Sequence, residues 1–154
     1  MDEIDLMIVR ELELDGRLTN QELADRVGLS PSPCLRRLRR LERDGVITGY
    51  AANVDPRAVG LTITAFVRIR LDSHAAEVVH QVEERIREID SIVEAYLMAG
   101  DTDYLLRVVV DSFLSYEELL RTEIRTIPSL ASIETSFAFG MPKPRSPLPV
   151  TMRP

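Results

Sequence analysis

The chain has 154 residues, of which 45% are hydrophobic and 29% are charged, values typical of one folded domain or two small ones and incompatible with wholesale disorder. Its net charge of −6 argues against a protein held on nucleic acid by total charge, and one cysteine with two histidines excludes a disulfide framework and a structural zinc site. No apolar run reaches the roughly 18 residues that span a bilayer, and the N-terminus is acidic, so we expect a cytoplasmic protein without a leader peptide or a membrane partner.

Three predicted helices and a short arm occupy the first 54 residues. The first helix has apolar residues at a spacing of four, and the second begins at a capping box formed by Thr19 and Glu22. The third begins at two Ser-Pro pairs, because proline is tolerated in a first helical turn. The predicted elements are a helix over 2–14, a second from Thr19 to Val27, a third that begins within 30–33 and ends by 45, and a short hairpin or extended arm over 46–54.

The second part of the chain alternates strand-like and helix-like periods. The predicted elements are a strand over 63–71, a helix over 78–89 capped by Asp72-Ser73, strands over 92–99 and 104–110, a helix that starts at a Ser115–Glu118 capping box and ends at Pro128, and a strand over 133–139. The order β-α-β-β-α-β is that of the ferredoxin-like fold. We therefore predict an α+β protein with a helix-turn-helix domain (1–54, winged-helix-like), a linker (55–62), a ferredoxin-like βαββαβ domain (63–140) and a Pro-rich, poorly packed tail (141–154).

Neither face of the predicted sheet is cleanly polar. If both helices cover one face, apolar residues of the alternate phase stay uncovered, namely Phe66, Ile92, Tyr96, Met98, Leu105 and Val109. A second copy of the chain is the simplest cover, because soluble oligomers are mostly homo-oligomers with twofold interfaces. The alternative is that the strand phases are misassigned and the outer face is ordinary.

The third helix has one cationic face. Residues 30–43 contain five arginines and one glutamate, and the side that carries Cys34, Leu38 and Leu41 is opposite Arg36, Arg39, Arg40 and Arg43. An isolated basic helix would more often be a solvated surface, but a third helix entered by a tight turn is typical of a helix-turn-helix that reads the major groove of double-stranded DNA. Arginine binds phosphate or guanine through two hydrogen bonds. The predicted DNA contacts are Ser30, Ser32, Pro33, Arg36, Arg37 and Arg40.

The sequence resembles the Lrp/AsnC, or feast/famine, family of prokaryotic transcription regulators over nearly its whole length. The matching stretches are Asp15-Gly16-Arg17, Glu22-Leu23-Ala24, Val27-Gly28-Leu29-Ser30, Cys34 with Arg37-Leu38 and Arg40-Leu41-Glu42, Gly45-Val46-Ile47-Thr48-Gly49-Tyr50, Ala65-Phe66-Val67 and Gly100-Asp101-Thr102-Asp103-Tyr104-Leu105-Leu106. The resemblance implies a DNA-binding helix-turn-helix joined to an effector-binding RAM domain, and homodimers that assemble further, often to octamers. It also implies that a small ligand, commonly an amino acid, binds between dimers near the loop over 100–104. The predicted effector contacts are Met98, Gly100, Asp101, Thr102, Asp103 and Tyr104.

The loop over 100–104 is chemically suited to an amino acid. Gly100 permits close approach of a ligand, and the carboxylates of Asp101 and Asp103 can receive an α-ammonium group. The alternative is that the two aspartates only shape the turn.

The remaining chemistry-bearing residues predict no catalysis. Cys34 lies on the packing side of its helix, and His74 and His80 lie on different faces without a third metal ligand. No nucleophile or acid–base set is visible, so we expect neither an enzyme nor a cofactor. The favoured function is an effector-responsive, DNA-binding transcriptional regulator, and the alternative is an architectural DNA-wrapping protein without a physiological ligand.

Overall fold

The computed structural model describes residues 1–143 and 146–149. Two compact units make up the described chain: Met1–Asn53 together with the described residues from Lys143 onward, and Val54–Pro142. None of the helices in the described ranges is long and apolar enough to cross a membrane. The same ranges hold no group of three or more histidine, cysteine or acidic side chains that could bind a metal ion.

The first unit contains three helices, α1 (Glu3–Leu14), α2 (Asn20–Arg26) and α3 (Pro31–Arg43), as predicted. The capping box of Thr19 and Glu22 is present, since the Glu22 amide and the Thr19 amide each donate to the other residue's side chain. The three helices enclose a small apolar core of Ile8, Leu23, Ala24, Val27, Cys34 and Leu41. Cys34 is fully buried there, and burial raises the pKa of its thiol, which fits a packing role.

An extended arm follows α3. Of the two predicted alternatives for residues 46–54, the structure has the arm, because no strand is formed there. The amides of Val46 and Ile47 donate to the Leu41 carbonyl, and the Tyr50 hydroxyl donates to a Glu42 carboxylate oxygen at 2.9 Å. Burial, reinforced by the Glu42 carboxylate, raises the pKa of Tyr50 to about 12. The arm is therefore fixed to the C-terminal end of α3.

The second unit is a ferredoxin-like layer of four strands and two helices. Its elements are a 3₁₀ helix (Pro56–Val59), β1 (Ile63–Leu71), α4 (Ala76–Glu88), β2 (Ile92–Leu97), β3 (Tyr104–Val110), α5 (Phe113–Thr122), a second 3₁₀ helix (Ile124–Thr126) and β4 (Leu130–Ala138). The strands lie in the order β2-β3-β1-β4, and every neighbouring pair is antiparallel. The predicted order of elements and the predicted fold class are confirmed.

Two predicted helix caps in this unit are wrong. The Asp72 amide donates to the Ser129 carbonyl at 2.8 Å, so the chain still follows the strand there, and α4 starts only after Ala75 without a side-chain cap. Ser112 is the N-cap of α5, because its hydroxyl accepts from the Ser115 amide, and Ser115 therefore lies inside the first turn. α5 ends at Thr122, well before Pro128, as the chain tightens into the 3₁₀ helix.

Alternation along the strands buries one face of the sheet against α4 and α5. Ala65, Val67, Ile69 and Leu71 of β1 are all buried in this core. The register of β2 shifts between Ile92 and Glu94, where a β-bulge adds one residue. Ile92 consequently packs against the core, which corrects its assignment to the second face.

The second face is mixed in character. Phe66 and Leu105 are half-buried on it, and Tyr96 is 50% exposed. Two cross-strand ion pairs, Arg107 with Glu94 at 2.9 Å and Arg68 with Glu134 at 3.5 Å, lie among them. Val109 is already buried within the chain, and Met98 lies beyond the end of β2. Fewer apolar residues of this face are therefore left uncovered than predicted.

Part of the predicted Pro-rich tail is described. Residues 146–149 have no regular secondary structure, and the Leu148 amide donates to the Glu13 carboxylate of α1 at 3.1 Å. The prediction for 144–145 and 150–154 lies outside the described residues.

Candidate DNA-binding helix and effector site

One face of α3 carries a row of cations. Ser32, Arg36, Arg39 and Arg43 follow each other at spacings of four, three and four residues, which places them on one side of the helix. With Leu35 and Arg40 they line an open depression of about 430 Å³. Among the described residues, no carboxylate contacts Arg36 or Arg39, and both side chains are exposed. These two guanidinium groups are available to a phosphate or a base edge.

The flank of α3 that faces α1 contains a carboxylate–guanidinium cluster, which we call the Asp5 cluster: Asp2, Asp5, Arg37 and Arg40. An Arg37 nitrogen lies 2.6 Å from Asp2 and 2.9 Å from Asp5, and an Arg40 nitrogen lies 2.5 Å from Asp5. The Asp5 amide and then Arg37 lower the pKa of Asp2. The sequence led us to expect that Arg37 and Arg40 project freely, but both guanidinium groups are paired with carboxylates of α1. Their contact with DNA stays a prediction.

The entry to α3 is held by the preceding helix. Gly28 has a φ of +70°, which only glycine adopts without strain, and it permits the tight turn between α2 and α3. The side-chain amide nitrogen of Asn20 donates to the Pro31 carbonyl at 2.9 Å. Ser30 and Ser32 are exposed and Pro33 is half-buried, so the two hydroxyl groups of the predicted set are accessible at the helix N-terminus.

The loop predicted to bind the effector borders a second open depression, of about 450 Å³. Its lining residues are Arg70, Leu71, Asp72, His74, Gly100, Asp101, Asp103 and Ala131. Gly100, Asp101 and Asp103 of the predicted set are brought together here, whereas Met98 and Thr102 are not among the lining residues. Tyr104 is buried in the core, where its hydroxyl approaches Glu83 at 3.4 Å and burial raises its pKa.

The two aspartates of this loop are in different situations. One carboxylate oxygen of Asp103 accepts from the Leu71 amide at 2.7 Å, and the other lies 2.7 Å from the His74 ring. The Leu71 amide and then His74 lower the pKa of Asp103, so this carboxylate is ionised and fastens the loop to β1. Asp101 is exposed and has no hydrogen-bond partner within the described residues. Asp103 therefore fits the turn-shaping alternative, and Asp101 keeps its carboxylate available to a ligand.

Two family profiles match the chain. A winged helix-turn-helix DNA-binding profile matches residues 1–48, and a profile of the Lrp/AsnC ligand binding domain matches residues 64–148. The chain belongs to the Lrp/AsnC family. One relative of this Lrp/AsnC protein, the leucine-responsive regulatory protein of Escherichia coli K12, is 41% identical over 135 residues, which are 88% of this chain and 82% of that protein.

Solved structures of the Lrp/AsnC family share this fold over nearly the full chain. An AsnC family transcriptional regulator from Agrobacterium tumefaciens is 40% identical, has a TM-score of 0.90 and is aligned over 97% of both chains. A transcriptional regulator from Neisseria meningitidis, solved as a complex with L-methionine, is 32% identical with a TM-score of 0.90 over 97% of this chain and 96% of that one.

Each candidate site lies in the part of the chain whose family profile has the corresponding function. The cationic face of α3 falls within the winged helix-turn-helix match, and the depression beside Asp101 falls within the ligand-binding match. This Lrp/AsnC protein is a transcriptional regulator with a DNA-binding and a ligand-binding domain.

Sequence reasoning left several residues that line the two depressions out of the predicted contacts. Arg39 and Arg43 were placed on the cationic face with Arg36 but were not included among the DNA contacts, although the shared helical face indicates them. Arg70 could have been found on the polar phase of β1, and His74 follows that strand directly. No local pattern indicates that Ala131 of β4 comes beside the loop, since this contact depends on the pairing of β1 with β4.

Proposed function

We propose that this Lrp/AsnC protein binds a pseudo-palindromic operator in double-stranded DNA as a homodimer, with one α3 in the major groove of each half-site. The observation that carries the proposal is the exposed row of Ser32, Arg36, Arg39 and Arg43, in which the guanidinium groups of Arg36 and Arg39 have no carboxylate partner among the described residues. The remaining predicted contacts, Ser30 and Pro33 at the helix start and Arg37 and Arg40 at the flank, are secondary candidates. The protein acts where its DNA is, in the cytoplasm.

An amino acid is the proposed effector. The relative from Neisseria meningitidis was solved with L-methionine, and this chain has an open depression of about 450 Å³ at the predicted loop. The exposed carboxylate of Asp101 would receive the α-ammonium group, and Arg70 offers a guanidinium group for the α-carboxylate. Gly100 leaves room for the ligand, while Met98, Thr102 and Tyr104 are weaker candidates because none lines the depression.

The homodimer would use the second face of the sheet. Phe66, Tyr96 and Leu105 supply apolar surface on this face, and the ion pairs of Arg107 with Glu94 and of Arg68 with Glu134 lie among them. Protein interfaces commonly combine apolar contacts with polar ones. Pairing places two copies of α3 in one particle, as a twofold operator requires, and dimers could assemble further, up to octamers.

The test of the DNA-binding proposal is a gel-shift titration with the promoter of the protein's own gene and a scrambled duplex of equal length. We expect tighter binding to the promoter, with the affinity falling steeply as salt rises from 50 to 200 mM, on the order of 10³-fold for six phosphate contacts. Equal, weak affinity for both duplexes would contradict sequence-specific regulation. Tight binding to both, with wrapping, would instead favour the architectural alternative.

Thermal-shift screening with the twenty amino acids tests the effector. At a concentration of 100 Kd a true ligand should stabilise the folded protein by about 2.7 kcal/mol, because it binds the native state only. Asp101→Ala should remove most of that stabilisation while DNA affinity stays near normal. Asp90→Ala is the matched control for a lost carboxylate and should keep the stabilisation, because Asp90 is exposed in the same unit and does not line the depression. An undiminished response in Asp101→Ala would show the loop assignment to be wrong.

A further inference from the structure

The Asp5 cluster is the most buried charged arrangement in the described part of the chain. The Asp5 side chain is 1% exposed, and Asp5 is the only buried polar or charged residue in that part. Its carboxylate accepts from the Asp2 amide at 3.0 Å and lies against both Arg37 and Arg40. A buried carboxylate is stable only when its oxygens are satisfied, and here both oxygens are.

The same residues also begin α1. Asp2 and Asp5 form a reciprocal capping box, in which each amide donates to the other side chain at 3.0 Å. The first turn of α1 therefore holds the Asp5 carboxylate in one position. The arginines of α3 meet a fixed acceptor and not a mobile surface side chain.

One carboxylate that contacts two arginines three residues apart restricts rotation of α3 about its axis. Arg37 and Arg40 lie one turn apart on the flank toward α1. Arg36 and Arg39 each come one residue earlier, so they project from the adjacent, exposed face. The contact with Asp5 thus sets the direction of the two arginines that have no carboxylate partner among the described residues.

We propose that Asp5 is a positioning residue for DNA recognition: it withholds Arg37 and Arg40 from phosphates and orients Arg36 and Arg39 toward the groove. The inference rests on the proposed function of α3. Two guanidinium groups per protomer, four per dimer, are paired with carboxylates of α1, although the Arg40 side chain is 44% exposed and borders the depression. The protein then binds arbitrary DNA more weakly than its five arginines would allow, and the operator gains selectivity because non-specific binding depends on phosphate contacts alone.

Asp5→Asn tests this with operator and scrambled duplexes at 50 to 200 mM salt. Releasing Arg40 should raise affinity for the scrambled duplex about tenfold at low salt and steepen the slope of log K against log salt by about 0.9 for each new phosphate contact, about 1.8 for the two Arg40 side chains of a dimer, because Arg37 keeps its contact with Asp2. The ratio of operator to scrambled affinity should fall. A merely structural role for Asp5 would lower both affinities without steepening either slope.

Glu3→Gln is the matched control, because Glu3 lies in the same turn of α1, is exposed and has no ion pair among the described residues. It changes the net charge equally and should leave slope and ratio within error of the parent chain. Asp5→Asn combined with Arg37→Ala and Arg40→Ala should return the slope to the parent value, since the released cations are then absent.

A second variant keeps the test decisive if circular dichroism shows Asp5→Asn to be unfolded. Asp2→Asn changes a side chain that is 54% exposed and contacts Arg37 alone, so it should give a smaller steepening in the same direction. Unchanged slopes and ratios in the folded variants would overturn the inference. If the proposed function is wrong, the parent chain has no preference for the operator over the scrambled duplex. The salt slope on the scrambled duplex still shows whether Asp5 withholds the arginines.

Discussion

Replacing Arg36 and Arg39 together by alanine is expected to lower operator affinity by about 1000-fold while the proposed homodimer stays intact. An arginine contact to a base edge contributes about 1–3 kcal/mol, so four contacts per dimer at the low end of that range give about 4 kcal/mol. Both side chains are exposed and lie beside Ser32 on the open face of α3, so their truncation leaves the apolar core untouched. Gel shift measures the affinity, and light scattering measures the dimer.

The control for this pair removes the same charge elsewhere. Arg121 and Arg125 are exposed in the ligand-binding unit, outside the winged helix-turn-helix match, so their double replacement by alanine should cost less than about tenfold through long-range electrostatics. Arg40 is a poor member of the test pair, because its loss also leaves Asp5 short of a partner. If the Arg36/Arg39 variant bound no more weakly than the control, α3 would not be the recognition helix.

Leu106→Ala should lower the free energy of unfolding by about 2–5 kcal/mol, the usual cost of a cavity left by a buried leucine. Leu106 is completely buried on β3, between Ala95 of β2 and Val67 of β1. It belongs to the core cluster that the sheet forms with α4 and α5, so its truncation leaves a cavity in that core. The total stability of a small domain is only about 5–15 kcal/mol, so this loss is a large fraction of it and should lower the unfolding midpoint clearly.

Urea unfolding followed by circular dichroism measures this loss, with Leu114→Ala as the control. Leu114 is 74% exposed on α5, so its truncation should change the free energy of unfolding by less than about 0.5 kcal/mol. A loss below about 1 kcal/mol for Leu106→Ala would contradict the described packing of the sheet against α4 and α5.

The order of elements could be predicted from the sequence because each depends on local spacing. Ile4, Ile8 and Leu12 recur at the helical period, and Thr19 with Glu22 satisfies its own helix start within four residues. The predicted caps at Ser73 and Ser115 were both wrong. The first failed because of a contact distant in sequence, and the second because two nearby serines can cap the same helix. Asp72 is still bonded to Ser129 across the sheet, and Ser112 competes with Ser115 for the same turn.

The positions of the two candidate sites could be predicted from the sequence, but the side-chain contacts within them could not. Helical periodicity identifies the cationic face of α3, yet nothing near Arg37 indicates that Asp5, 32 residues earlier, lies against it. In the effector loop, turn chemistry suggests the same role for Asp101 and Asp103. Only the pairing of strands decides that Asp103 meets the Leu71 amide and that Asp101 does not.

The bulge between Ile92 and Glu94 affects how the sheet ends. β2 and β4 are the two outer strands, and the pairing of β1 with β4 is also irregular, between Arg70 and Leu71. A bulged margin twists and interrupts its row of free amides and carbonyls, which makes it a poor template for another chain. Both margins of this sheet are therefore poorer templates for the open-ended addition of further strands than two regular edges would be.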